Sequence, residues 1–501
     1  SRAVEALLAA LRTREPHAHD AALALTDGLR GLAAASDAPT EGAARQALAR
    51  LGAAVKLSTL GVPMAGATRE PLDRIELPTT APGRLPPQAA ARGHGGHRSS
   101  HPVTFVDASG AEHRMLLKAR PAAELHAFKE AVAAQAMRAA GGLVAHAHAH
   151  AHAHAAVGGH AGDLAAAMLP LAPTRSAGGG GGGGGSGGEV SAALVEWRDG
   201  AIGLDGWLQR EHTAAHGAGR DAMAPDACIK LLSEERASAC ERVAGGKGAG
   251  GGGSGGGGGG SGPGGGGASA SAWVKIMQGT RPLLHRLLLQ QSGCVGTWLA
   301  RRSALCSSLA AGSVAGWVMG LGDRAPRSLL YHARSGTLLH GRLHSVLDVA
   351  RTLPLPEAVP FRLTREMQDA LGGAAGVGGD FRAACERVLR ALQRDEAAAS
   401  LLCVLEAYAH DGLGPLAKLD TVRGGPTAAA AGSSSGGVAA AGAAAGEHVA
   451  GLALHGVELK LQGVQGAGAG GGVEAQVRLL VQEATDEFKL MAMPSSWKPW
   501  L

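Results

Sequence analysis

The residues best placed to do chemistry form one short run, Gly320-Leu321-Gly322-Asp323-Arg324, in which a Gly-x-Gly turn leads into an acid and a base. A Gly-x-Gly alone is weak. This one follows a helical pattern and precedes a strand, a turn and a strand (Leu329 to Tyr331, Ser335-Gly336, Leu338 to His340), and then Val359-Pro360-Phe361-Arg362-Leu363-Thr364. Two other segments imitate ligand sites. Gly246-Lys247-Gly248 looks like a phosphate-binding loop, yet it lacks a Ser or Thr after the Lys and an apolar strand before it, so the likeness is rejected. Residues 145–155 alternate Ala and His. On an extended chain His146, His148, His150, His152 and His154 would share a face and could ligate a metal. No Cys or carboxylate completes such a site, and expansion of a simple repeat in a loop is favoured.

The elements that must position the run are embedded in a biased composition. Of 501 residues 80 are Gly, and only 3% are aromatic, so burial must rest on Leu, Val, Ala and Met. The Gly-rich stretches 178–188, 245–267 and 424–446 read as flexible insertions. Such insertions are tolerated because each doubling of loop length costs only about 0.6 kcal/mol. Val103 to Val106, Asp107 to Gly110 and Arg114 to Lys118 read as strand, turn and strand. Glu124 to Met137 and Trp298 to Met319 read as helices. Phe381, Cys385, Val388 and Leu392 make one apolar helical stripe, and Val473, Val477, Leu480, Val481, Ala484 and Phe488 make another. The net charge of +5 is spread without a Lys/Arg block, which argues against a nucleic-acid surface. No apolar stretch reaches membrane-span length, and no Cys-x-x-Cys pair occurs, so the six Cys read as free thiols of a reducing compartment.

In this order the segments resemble the phosphatidylinositol 3-kinase-related protein kinases. That family carries G-L-G-D-R-H-x-x-N in its catalytic loop and V-P-F-R-L/M-T in its activation segment, here Val359, Pro360, Phe361, Arg362, Leu363 and Thr364. Met115-Leu116-Leu117-Lys118 resembles the strand whose Lys binds ATP phosphates. Leu194-Val195-Glu196-Trp197 resembles the hinge that meets adenine. The tail from Val473 to Leu501 resembles the short FATC domain of the protein kinases of this superfamily. The Trp197-Arg198-Asp199-Gly200-Ala201 run, Gln209-Arg210-Glu211, Val473-Glu474-Ala475-Gln476-Val477 and Glu483-Ala484-Thr485 are most similar to the subfamily that drives nonsense-mediated mRNA decay.

The resemblance implies an α+β, two-lobed protein-kinase-like fold with a short helical C-terminal domain. Its small lobe would span 61–193, with His- and Gly-rich insertions, and its large lobe 194–420, with the insertion 245–267. A low-complexity linker at 421–455 and a FATC-like domain at 456–501 would follow, and 1–60 would end a preceding helical region. It implies Asp323 and Arg324 as catalytic, and Lys118, Leu194, Val195, Glu196 and Trp197 as nucleotide-binding. ATP would be the cofactor, with Mg²⁺ or Mn²⁺ expected for the family.

The implied activity is a Ser/Thr protein kinase acting on Ser/Thr-Gln sites of the decay pathway's RNA helicase. Other decay-complex subunits would be partners, without direct nucleic-acid or membrane contact, in cytoplasm or nucleus.

Three positions depart from the pattern. Ala325 replaces the family His, Ser328 the metal-ligating Asn, and Arg342 the metal-ligating Asp of the H-I-D-Y-type stretch, which here is His340-Gly341-Arg342-Leu343. Near Lys118 the expected acidic partner is displaced, leaving Glu124 and Glu130 as candidates beside Phe128 and Lys129. Phosphoryl transfer needs in-line geometry and charge neutralisation. A fixed positive charge about 4 Å from a divalent cation is repelled by about 8 kcal/mol at an effective dielectric near 20. Either metal binding is lost, or the sequence or alignment around 341–348 is shifted. A catalytically impaired pseudokinase, serving as a nucleotide-binding or scaffolding module, is therefore the alternative to an active kinase.

Overall fold

The computed structural model describes residues 72–76, 99–121, 127–151, 164–165, 168–175, 189–196, 198–221, 223–245, 266–343, 345–352, 356–410, 450–463 and 472–501. The chain divides into two compact units. The first comprises 1–138, 165–201 and 341–344, and the second 139–164, 202–340 and 345–501.

The first unit is built on five antiparallel strands. These are β1 (Leu72–Glu76), β2 (Ser99–Asp107), β3 (Glu112–Pro121), β4 (Met168–Arg175) and β5 (Glu189–Glu196), in the order β1-β2-β3-β5-β4. The β2–β3 hairpin predicted from the apolar pattern forms, with Val103 opposite Met115 and Phe105 opposite His113. Asp107 closes its turn. One carboxylate oxygen accepts from Ser109 N at 3.0 Å, Ser109 Oγ at 2.5 Å and Ala111 N at 3.0 Å, and the other meets His113 Nε2 at 2.9 Å. These donors, Ser109 first, hold the carboxyl well below the usual carboxylate range. Val103, Phe105, Leu116, Leu117 and Leu194 are fully buried in this sheet. Helix α1 (Ala127–Ala151) forms as the pattern predicts over 127–137, and Ala133, Ala136, Met137 and Ala140 are buried positions on it.

Helix α1 also corrects the expectation for the His run. Residues 145–151 are helical rather than extended or looped. A helical backbone turns residues two apart to different sides, so the shared face argued from an extended chain does not apply there. His152 and His154 lie outside the described residues, as do the stretch 1–60, Glu124 and nearly all of the Gly-rich insertions.

The second unit is mostly helical. It contains β6 (Ala201–Gly203), α2 (Leu204–Gly217), α3 (Pro225–Gly245), α4 (Gly266–Gly279), α5 (Leu284–Gln290) and α6 (Val295–Val318). Strands β7 (Leu329–His332) and β8 (Leu338–His340) form the predicted hairpin beyond α6. Helices α7 (Arg365–Ala370), α8 (Gly373–Gly376), α9 (Arg382–Leu392) and α10 (Asp395–His410) follow.

From Leu305 on, α6 is nearly continuously buried, the signature of a helix surrounded by others. The α9 stripe packs on α6: Phe381, Cys385, Val388 and Leu392 are all 1% exposed or less. A further helix covers residues 450–461, crossing the predicted linker boundary at 455/456.

The tail forms α11 (Val473–Ala484) and α12 (Glu487–Met491), broken at Thr485 and Asp486. Val477, Leu480 and Ala484 are buried as the stripe predicts, while Phe488 is 74% exposed because the break turns it out of register. Among the described residues no helix is long and apolar enough to cross a membrane.

Candidate active site

In the first unit Lys118 lies on β3 opposite Ala193, 8% exposed. On the first turn of α1 the buried ionisable residue is a second lysine, Lys129, whereas Glu130 is half-buried. The resemblance implies Leu194 and Val195 as nucleotide-binding. Both lie inside β5, paired on one edge with Leu117 and Leu116 of β3 and on the other with Leu169 and Met168 of β4. Ladders run on both sides of them, and their side chains are buried. Glu196 ends that strand, and its carboxylate meets Arg138 Nη1 at 3.3 Å and Arg198 Nη2 at 3.0 Å. Trp197 lies outside the described residues. Arg342, half-buried, belongs to the same unit.

In the second unit the site begins where α6 ends. Leu321 N donates to Gly316 O at 2.7 Å and Gly320 N to Trp317 O at 3.1 Å, the two bonds of a Schellman cap. Gly320 takes φ +64 there, and a Cβ on it would lie 2.2 Å from Asp348 N, so glycine is required on both counts. The chain then pairs with the segment after β8. Leu347 N donates to Met319 O (2.7 Å), Asp348 N to Gly320 O (3.0 Å) and Gly322 N to Ser345 O (2.8 Å). Asp323 follows in a left-handed conformation, φ +51. Its amide donates to Glu357 Oε1 at 2.8 Å, and its Oδ1 accepts from Arg327 Nη2 at 2.8 Å.

Arg324, which the resemblance implies as catalytic, is held by residues 357–360. It is buried and fully engaged: Nε and Nη2 donate to Glu357 Oε2 at 3.1 and 3.0 Å, Nη2 to Val359 O at 2.9 Å, and Nη1 to Pro360 O. It thus fastens residues 357–360 to the turn at Asp323 and Arg324. Val359, Phe361, Arg362, Leu363 and Thr364 are all buried, Phe361 meeting Phe381 edge-on at 6.3 Å. Pro360 is half-buried.

Arg362 reaches the other way. Its Nη1 donates to Arg324 O at 3.4 Å and its Nη2 to Lys498 O at 3.0 Å and Leu501 O at 3.3 Å. His340, at the end of β8, packs closely on Gly312 of α6; a Cβ there would stand 3.2 Å from its Nε2, a tight contact. Burial, with Arg324 adding to it, brings the His340 pKa down to about 4, so the ring is neutral at pH 7.

The family implies a divalent metal, and the side chains of this unit do not fit one. Its three acidic residues at the catalytic end already carry cations: Asp323 with Arg327 at 2.8 Å, Asp348 with Lys460 at 2.6 Å, and Glu357 with Arg324 at 3.0 Å. Ser328 Oγ, in the place of the family Asn, is buried without a hydrogen-bond partner among the described residues, and Ala325 beside it is fully buried. One neutral oxygen is far from the octahedral oxygen set Mg²⁺ demands. No cluster of three or more His, Cys, Asp or Glu suited to a metal occurs among the described residues.

Sequence reading missed three residues. Glu357 anchors both Asp323 and Arg324, and Lys460 holds Asp348. His212 on α2 sits fully buried between two carboxylates, Asp221 Oδ2 and Glu366 Oε1, each at 2.9 Å. Glu366 also accepts from Leu283 N and Leu284 N at 2.6 and 2.8 Å. Burial alone would push the His212 pKa down; the carboxylates of Glu366 and Asp221 outweigh it and hold the pKa above its ordinary value. No periodicity marks these residues, because each is paired across a long loop.

Residues 268–417 match the phosphatidylinositol 3- and 4-kinase family, and residues 472–501 the FATC domain. The chain is 26% identical over 323 residues to the serine-protein kinase ATM of Sus scrofa, covering 62% of this chain and 10% of that protein. To the serine/threonine-protein kinase ATM of Arabidopsis thaliana it is 32% identical over 236 residues, 46% of this chain and 6% of that one. The serine/threonine-protein kinase TEL1 of Saccharomyces cerevisiae is 30% identical over 235 residues, 46% and 8%. Among solved structures, the FAT and kinase domain of CtTel1 superposes with a TM-score of 0.54 at 21% identity, over 80% of this chain and 22% of that one.

The fold is therefore the α+β, two-lobed kinase-like fold. The chain spans a tenth or less of these curated relatives. They are ATM and TEL1 kinases and speak for the wider family rather than for the nonsense-decay subfamily. A phosphatidylinositol 3- and 4-kinase region followed by a FATC domain supports placing this chain in the phosphatidylinositol 3-kinase-related protein kinase family.

Proposed function

We propose that this chain is the catalytic region of an ATP-dependent Ser/Thr protein kinase of that family, with transfer attenuated by altered metal positions. The observation that carries this is the Asp323 constellation. A carboxylate in a left-handed turn is fixed from behind by Glu357, while Arg324 holds the activation segment to the same acid. In this reading Asp323 orients a substrate Ser or Thr hydroxyl and takes its proton. The hydroxyl oxygen bonds to the γ-phosphorus as the bond to the β-phosphate oxygen breaks, and ADP leaves. Lys118 serves the ATP phosphates. Ser/Thr-Gln sites on the RNA helicase of nonsense-mediated decay, together with other subunits of that complex in cytoplasm or nucleus, are the substrate and partners suggested by the tail and the Trp197–Ala201 run.

A second reading, a nucleotide-binding or scaffolding pseudokinase, is favoured by the pairing of Asp323, Asp348 and Glu357 with cations. Phosphorylation of a Ser-Gln peptide by the purified chain, beside Asp323→Asn, separates the two. Slow transfer abolished by Asp323→Asn supports the kinase. Nucleotide binding with no transfer, unchanged when Ser328→Asn and Arg342→Asp are introduced together, supports the pseudokinase.

A further inference from the structure

Lys460 lies on the helix at 450–461, between the two matched regions, where neither likeness assigns a role. Its side chain is nevertheless 1% exposed. Its ammonium donates to Trp317 O at 2.9 Å and to Asp348 Oδ2 at 2.6 Å, 5.8 Å from the centre of the Trp317 ring.

Both acceptors sit at the root of the catalytic loop. Trp317 O is one of the last carbonyls of α6, where a cation is favoured, and it also accepts from Gly320 N. Asp348 is the residue whose amide pairs with Gly320 O, and it occupies a left-handed conformation, φ +57, beside Leu347 at φ +60. Two consecutive non-glycine residues in that region persist only when their surroundings hold them. Here they are held by the main-chain ladder to 319–322 and by the Lys460 contact. Burial pushes the lysine pKa down and Asp348 opposes it, so the ammonium is committed to this pair rather than to solvent. The main-chain oxygen of Lys460 accepts from Gln476 Nε2 of α11 at 3.4 Å, which joins the tail to the same post.

We propose that Lys460 is a positioning residue for the phosphoryl-transfer site: by bridging the end of α6 to Asp348 it locks the ladder from which Asp323 projects. The site's order thereby depends on a helix outside the catalytic region proper. The inference rests on the proposed function only in calling the positioned site catalytic; the lock itself is a physical property of the chain.

Hydrogen exchange on the full 501-residue chain tests it. In Lys460→Met, the amides of residues 320–323 and 345–348 should exchange at least tenfold faster. Those of α9 and α10 should stay within twofold. Lys460→Arg, which keeps a cationic donor for Trp317 O and Asp348, should retain most of the protection. Asp348→Asn, which removes the opposite charge, gives the same comparison if Lys460→Met is insoluble. Unchanged protection at 345–348, or faster exchange spread evenly over the whole second unit, overturns the proposal. Where peptide phosphorylation is measurable, Lys460→Met should lower kcat at least tenfold with KM for ATP unchanged. If the wild-type chain transfers no phosphate, the functional reading fails while the exchange comparison still decides the lock.

Discussion

Arg362 lies against Trp497: its guanidinium sits 4.8 Å from the centre of the Trp497 ring while it donates to the main-chain oxygens of Lys498 and Leu501. Arg362 thus ties the segment 359–364 to the C-terminal residues 497–501. Lys498 extends the attachment to α2, its Nζ meeting Asp205 Oδ1 at 2.6 Å and Gln209 Oε1 at 3.0 Å.

Removal of the tail should therefore be felt throughout the second unit. A chain ending at residue 470 loses the buried Val477, Leu480, Leu490, Met493, Trp497 and Trp500. Each large apolar side chain is worth about 1.5 to 3 kcal/mol, so the melting temperature should fall by about 10 °C or more, or the protein should become insoluble. Equal melting temperatures for both lengths would contradict the packing. Arg362→Met, which strands the tail carbonyls, should cost about 3 kcal/mol in denaturant unfolding.

Acid should weaken the fold through His340. Its folded pKa of about 4 lies below its unfolded value near 6.5, so the unfolded chain binds the extra proton first. Stability should drop as pH falls from about 6.5 to about 4, by at most about 3 kcal/mol, and this loss should level off below. His340→Gln should flatten that limb in urea titrations across the range; an unchanged slope would show that His340 is not the group responsible.

His212 should act with the opposite sign. Its folded pKa is raised, so its contribution is complete below about pH 6.5 and fades as pH climbs through the folded value. His212→Gln keeps one donor for two carboxylates, and should destabilise most at low pH and least at high pH. An NMR titration showing the His212 ring neutral at pH 6 would refute the assignment.

Nucleotide binding should survive metal removal. The family's metal-ligating Asp position holds Arg342, a residue type whose guanidinium suits phosphate oxygens, and Asp323, Asp348 and Glu357 are each paired with a cationic side chain. ATP at 100-fold over its Kd should stabilise the chain by about 2.7 kcal/mol in EDTA, and added Mg²⁺ should change the thermal shift little. Strong Mg²⁺ dependence would return a metal to the site. Arg342→Asp with Ser328→Asn should create that dependence.

The sequence by itself determined the parts whose signal is local. The β2–β3 and β7–β8 hairpins, the α9 stripe and the glycine that ends α6 follow from side-chain periods and backbone sterics within a few residues. The segment order that gave the family was equally legible. Only the tertiary structure decided which charges meet. Arg324 finds Glu357 across 33 residues, Asp348 finds Lys460 across 112, and His212 finds Glu366 across 154. Such partners leave no periodic trace, since a buried charge needs one opposite charge within hydrogen-bond reach and is indifferent to its distance along the chain. For the same reason the sequence neighbours of Arg324 gave no sign of its contacts with Glu357, Val359 and Pro360. Phe488, in register with the α11 stripe on paper, faces solvent because a helix break at Thr485 and Asp486 ends the period that predicted its burial.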